Sequence, residues 1–155
     1  MNAFAKLKRK NPDAMKGVLK AVQDAAKKEI AVGFPKGKAN AYPDGTPVAL
    51  VAACHVYGMG VPVRDFMALA KPDIIRRTKK ALGLLKKGGL NSVQIEIAQN
   101  AAGVEAEAAI KKGITDMNSP PLAPATIKAK GSSKPLIDTE HMRDSVTYVI
   151  RDRTR

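Results

Sequence analysis

Apolar residues recur at helical spacing through most of this chain and alternate only toward its two ends. Met15, Val18, Leu19, Val22 and Ala26 share one face of a helix predicted from Pro12 to Lys28, with Asn11 as its cap and Asp13 in its first turn. Glu29 to Phe34 then reads as a short strand. Val48 to Tyr57 is a small, apolar run with His55 near its end. Pro72 is expected to open the next helix, which runs toward Lys87. Ile75, Thr78, Leu82 and Leu85 lie on one side of it, and Arg76, Lys79, Lys80, Lys86 and Lys87 form a basic outer face. Gly88-Gly89 breaks that helix. A longer one follows from about Asn91 to Asn118, with Val93, Ile97, Ala101, Val104 and Ala108 at helical spacing. Gly103 and Gly113 each weaken it by about 1 kcal/mol relative to alanine, which marks close packing or a bend.

Glycines and prolines interrupt the chain twice. From Gly33 to Pro47 they give a long polar loop, expected to be mobile, with a turn at Tyr42-Pro43-Asp44-Gly45. Pro120, Pro121 and Pro124 end the long helix and stiffen the connector behind it. Ala123 to Lys130 can form a short helix stopped by Gly131, and Asp138 or Thr139 can cap another through Arg143. Val146, Tyr148 and Ile150 then alternate with Thr147, Val149 and Arg151, a strand with one mainly apolar face. The fold expected is α+β: several helices, one of them long, packed on a small antiparallel sheet made from the N-terminal strand and the C-terminal strand Ser145 to Asp152. Residues 1–155 suit a single domain, with basic segments at about 1–11 and 151–155.

Composition narrows the chemistry. One cysteine excludes an internal disulfide framework, and two histidines with that cysteine cannot supply four zinc ligands unaided. No secretory pattern follows Met1, so synthesis in the cytoplasm is expected, and no segment reaches membrane-spanning length. The net charge of +13 points to nucleic acid, acidic protein surfaces or anionic lipid, and does not choose among them. Aromatic residues at 4% and the lack of tryptophan speak against a stacking platform for single strands. Adjacent residues on a helix point about 100° apart, so Cys54 and His55 do not form a nucleophile and its base. Glu96, Glu105 and Glu107 have no ligand-spaced partner, and Gly33 to Lys38 lacks the spacing of a phosphate loop. No catalytic set, cofactor or metal site is expected. Lys6, Lys8, Arg9, Lys10, the Arg76 to Lys87 face, Arg151, Arg153 and Arg155 could neutralise phosphates, with no base-reading motif beside them.

Two blocks carry a family resemblance. Pro120-Pro121-Leu122-Ala123-Pro124-Ala125-Thr126-Ile127-Lys128, then Lys130-Gly131 and Lys134-Pro135-Leu136-Ile137-Asp138-Thr139, resembles a series found late in tail-completion or head-tail joining (neck) proteins of long-tailed bacteriophages. His55-Val56-Tyr57-Gly58 followed by Pro62-Val63-Arg64-Asp65-Phe66 is similar to the same family's helix ending in His-x-aromatic-Gly and its Pro-x-Arg-x-Phe loop. Asp65 departs from the usual proline, and Val56 from the usual acidic residue. The resemblance implies a virion protein without catalytic activity, placed at the neck or upper tail as a homo-oligomeric ring, a hexamer among the copy numbers it leaves open, around the DNA channel. Its implied neighbours are head-tail connector, tail terminator or tail-tube proteins. Expected subunit or ring contacts are Tyr42, Asp44, Arg64, Phe66, Pro121, Lys128 and Lys134. Expected contacts to DNA or acidic surfaces are Arg76, Lys79, Lys80, Lys86 and Lys87. The rival reading is a basic protein that binds duplex DNA without sequence preference.

Overall fold

The computed structural model describes residues 12–34, 41–85, 90–137 and 140–153. Its elements run α1 (Pro12–Ala26), β1 (Lys28–Gly33), α2 (Val48–Tyr57), α3 (Phe66–Leu82), α4 (Ser92–Asp116), α5 (Pro124–Lys130), α6 (His141–Asp144) and β2 (Thr147–Asp152). The architecture is α+β as expected, with the 25-residue α4 lying against a two-stranded antiparallel sheet. Register runs from Lys28 opposite Asp152 to Gly33 opposite Thr147. Glu29 and Arg151 are direct partners, and Arg151 Nε donates to Glu29 Oε1 at 2.8 Å across the pair.

Side-chain caps set two helix starts. Asn91 Oδ1 accepts from the Gln94 N–H at 2.9 Å and opens α4. Asp65 accepts from the Ala68 N–H at 2.8 Å and opens α3 at Phe66, which corrects the expected start at Pro72. Pro72 lies inside the helix. It lacks the N–H that the Ala68 carbonyl would receive, and both residues lie on the exposed side of the helix, where the missing bond costs least. Asn11, and Asp138 or Thr139, expected as caps, lie outside the described residues; Glu140, at φ 60°, precedes α6 without a side-chain cap bond.

Small residues make the helix contacts. Phe66 and Ala70 of α3 lie at Gly113 of α4, and Arg77 pairs with Glu105, so the two helices run antiparallel. The buried positions of α4 are Ile95, Ala98, Ala102, Gly103, Ala106, Ala109, Ile110, Gly113 and Ile114. The expected face of Val93, Ile97 and Val104 is instead exposed, at 64%, 50% and 55%. The same inversion holds on α1, where Ala21 is buried while Met15, Leu19 and Val22 face outward, and on α3, where Ala70 and Ala81 are buried while Ile75 and Leu82 are exposed. Alanine and glycine let backbones approach closely, so these seams are built mainly from small residues, with Phe66, Ile95, Ile110 and Ile114 the large side chains kept inside and the others named here turned out. Gly103 and Gly113 are accordingly contact notches. A β-carbon at Gly103 would meet the Tyr148 ring at 2.2 Å, and one at Gly113 the Phe66 carbonyl oxygen at 2.8 Å.

The core proper lies at the C-terminal end of α4, around Gly113. Val48 and Ala52 of α2, Phe66 and Ala70, Ile110 and Ile114, Leu136, Met142 and Val146 form one cluster.

Candidate functional site

The two motif blocks meet in space. Arg64, only 4% exposed, donates from Nε to the Pro120 carbonyl at 2.9 Å, and its own N–H donates to the His55 carbonyl at 2.8 Å. One arginine thereby ties the end of α2 to the proline connector. Phe66 is fully buried, with its ring edge-on to Phe34 at 6.5 Å between centroids. Arg64 and Phe66 were expected at subunit contacts. Their burial corrects this, because neither side chain reaches the surface and both hold the chain to itself.

Between α2, the turn at Tyr42 and the Lys130–Leu136 segment lies a cavity of about 520 Å³, lined by Tyr42, Asp44, Thr46, Val51, His55, Lys130, Pro135, Leu136 and Met142 among others. The size suits a ligand or an inserted side chain. Its mouth is built by the predicted turn: the Gly45 N–H donates to the Tyr42 carbonyl at 2.8 Å, and Asp44 Oδ1 accepts from the Thr46 N–H at 2.9 Å. That backbone donor holds the Asp44 carboxyl below the usual range. The Tyr42 ring meets the His141 ring at 4.9 Å, and His141 Nε2 lies 3.2 Å from the Ala41 carbonyl. Lys130 closes one wall by donating from Nζ to the carbonyls of Lys134 at 2.8 Å and Pro135 at 3.4 Å.

His55 is the polar group that this wall leaves unsatisfied. Its Nδ1 is buried and has no hydrogen-bond partner among the described residues. Burial first, and then the positive charges of Arg64 and Lys130, push the imidazole below its ordinary value, so it is neutral at pH 7. On the opposite side of α2, seven residues apart and on one face, Leu50 is 51% and Tyr57 75% exposed. Gly58, at φ 73°, then turns the chain into a loop whose Met59, Val61 and Val63 are also exposed. Tyr57 was read only as part of a motif. The signal that marks it is the absence of any Asp, Glu, Lys or Arg between Asp44 and Arg64 in so basic a chain.

The other expected contact residues are dispersed. Tyr42 and Asp44 sit at the cavity mouth; Pro121 and Lys128 are exposed; Lys134 is half-buried, with Nζ donating to Asn118 Oδ1 at 3.2 Å. Lys79 and Lys80 are exposed on α3, and exposed Arg76 pairs with Asp73. Arg77 is engaged by Asp73 at 2.6 Å and Glu105 at 3.2 Å. Lys86 and Lys87 lie outside the described residues. Cys54 is half-buried, and no group of three or more His, Cys, Asp or Glu residues suited to a metal ion occurs among the described residues. No helix of the described residues is long and apolar enough to cross a membrane.

Comparison with protein-family models, with curated proteins and with solved structures finds no match.

Proposed function

We propose that this chain is a structural subunit of a tailed-bacteriophage virion, acting in head-tail joining or tail completion as one copy in a ring around the DNA channel. The observation that carries this reading is the outward placement of large apolar side chains on three helices: Met15, Leu19 and Val22 on α1, Ile75 and Leu82 on α3, and Val93, Ile97 and Val104 on α4. Large apolar side chains turned outward on three helices of a folded chain fit surface that another protein covers. The tie between the two family-like blocks through Arg64 and Pro120 supports it further, because it gives both blocks a common structural task.

The mechanism is assembly. Helices packed through alanine form a rigid body, their outer apolar stripes engage neighbouring copies, and the loops fit one ring to the next. The exposed Lys79, Lys80 and Arg76 suit attraction to DNA in the channel or to acidic faces of adjoining rings. These side chains also favour a second reading, a basic protein that binds duplex DNA without sequence preference.

Quantitative mass spectrometry of purified particles tests the first reading. The chain is expected at fixed stoichiometry, and its loss should leave filled heads and free tails unjoined. Its presence in infected-cell lysates alone, never in particles, would overturn the reading.

A further inference from the structure

Among the described residues the sheet has two strands, so β2 pairs with β1 on one side only. The Arg153 N–H donates to the Lys27 carbonyl at 2.7 Å, which fixes the parity of the ladder: Glu29 with Arg151, Ala31 with Val149 and Gly33 with Thr147 are its bonded pairs. Tyr148, Ile150 and Asp152 therefore turn their N–H and carbonyl groups away from β1, and no described residue bonds them. Residues 147–150 line a groove of about 480 Å³ whose other wall includes Glu96, Gln99 and Asn100 of α4. Side chains alternate along a strand, so four consecutive residues line one groove through their backbone. Asn100 joins that groove to apolar surface. It accepts the Tyr148 hydroxyl and stands seven residues from Val93, three from Ile97 and four from Val104, so these three share its face of the helix, at 64%, 50% and 55% exposed. On the face of the sheet turned from α4, Arg151 and Arg153 border the same edge. Arg151 is held by Glu29, while Arg153 is exposed and has no side-chain partner among the described residues.

We infer that this edge binds an extended segment of a different protein, added to the sheet as a third strand beside β2, apolar on its face toward α4 and acidic on the other. The backbone sets the class of occupant, because a row of N–H and carbonyl groups recurring about every 7 Å is met in full only by another extended backbone. The two faces set its side chains. Residues paired with Tyr148 and Ile150 lie over Val93, Ile97 and Val104, and the residues between them reach toward Arg151 and Arg153. A carboxylate suits that second row in a chain of net charge +13. A second copy of β2 suits it poorly, since it would bring the arginines of both copies onto one face. The contact needs no ring, so it stands apart from the assembly reading above.

The test uses the full chain, isotope-labelled for amide NMR. In the free chain the Tyr148 and Ile150 amides should exchange with solvent at least about 100-fold faster than those of Val149 and Arg151, which bond to β1. The probe is the capped peptide Glu-Val-Glu-Val-Glu-Val. At millimolar concentration it should shift the Tyr148 and Ile150 amide signals and slow their exchange. N-methylation of its valines, whose N–H groups face β2, should abolish the effect, whereas N-methylation of its glutamates, whose N–H groups face solvent, should leave affinity within about threefold. Ile97→Glu and Val93→Glu, both at exposed positions that leave the fold intact, should each weaken binding about tenfold. No response of the two amides to the peptide, an equal response to both N-methylated forms, or unchanged affinity in the two variants would each overturn the inference. Slow exchange of the Tyr148 and Ile150 amides in the free chain would overturn it too, giving the edge to the chain itself or, where protection grows with protein concentration, to a second copy. Particle composition decides the virion reading separately, since it depends on none of these amides.

Discussion

Replacing Gly103 by alanine sets two opposed effects against each other in the middle of α4. A methyl group there would lie 2.2 Å from Cδ2, 2.5 Å from Cε2 and 2.7 Å from Cγ of Tyr148. Carbon atoms in good contact sit about 3.5–4.0 Å apart. Because Cγ is involved, turning the ring does not relieve the clash, so the side chain or β2 itself must retreat. Retreat strains the hydrogen bond from the Tyr148 hydroxyl to Asn100 Oδ1, now 3.1 Å, a bond of about 0.5–1.5 kcal/mol. Overpacking adds about 1–3 kcal/mol. Alanine offsets about 1 kcal/mol of this through its better helix propensity. The net expectation is a loss of about 1–3 kcal/mol. In a Tyr148→Ala background the obstacle is gone, and the same Gly103→Ala change should stabilise by up to about 1 kcal/mol. Urea unfolding of the four chains, at constant m value, reads both numbers. Stabilisation of the wild-type chain by Gly103→Ala, or an equal cost in both backgrounds, would refute the close-approach argument.

Three further outcomes follow from the site. His55, held below its ordinary value by burial and by Arg64 and Lys130, binds fewer protons folded than unfolded. Its contribution to stability is therefore full above about pH 6.5 and is lost as pH falls through the folded value, and His55→Gln should flatten that part of a stability–pH curve. The depressed carboxyls Asp24, Asp44 and Asp73 act at lower pH and should leave this window unchanged. Arg64→Met leaves the Pro120 carbonyl without its donor and should cost about 1–3 kcal/mol in thermal unfolding, with faster proteolysis near Asn118 to Ala123; Arg64→Lys should recover only part of it. Binding to duplex DNA should be weak and indifferent to sequence, and Lys79→Glu with Lys80→Glu should flatten the plot of log affinity against log salt by about 2 units. Arg77→Gln should leave that slope alone, because its guanidinium is already held by Asp73 and Glu105.

The strands, the turn at Tyr42 and the α+β class were legible because each rests on local chemistry: alternation in Val146 to Ile150, and a Pro-Asp-Gly sequence in the turn. The inward faces of the helices were not. Hydrophobic periodicity weights residues by size, and it selected Val93, Ile97 and Val104, whereas close helix contact selects Ala98, Ala102 and Ala106. The start of α3 was hidden for a related reason. Pro72 looks like a first helical residue, and only the capping bond from Asp65 to the Ala68 N–H shows the helix already under way. Arg64 and Phe66 were legible as a motif but not as buried, since a motif records which residues matter and not which way they point. The cavity at His55 joins segments far apart in sequence, and no local pattern could have assembled it.

The pairing of β1 with β2 also sets the order in which this chain can become itself. Lys28 finds Asp152 only after every residue between them has been made. During synthesis from the amino end, β1 stays an open strand edge, and the notch at Gly103 has no ring to fill it. α3 and α4, joined by a short connection and packed along their lengths, can form earlier and locally. The sheet is thus the latch of the fold rather than its seed. Slow closure of a contact so distant in sequence keeps the apolar outer stripes in the company of an unpaired edge, the combination most prone to premature association. The charge of +13 acts on the unfinished chain as well, because like charge holds such copies apart until the latch is shut.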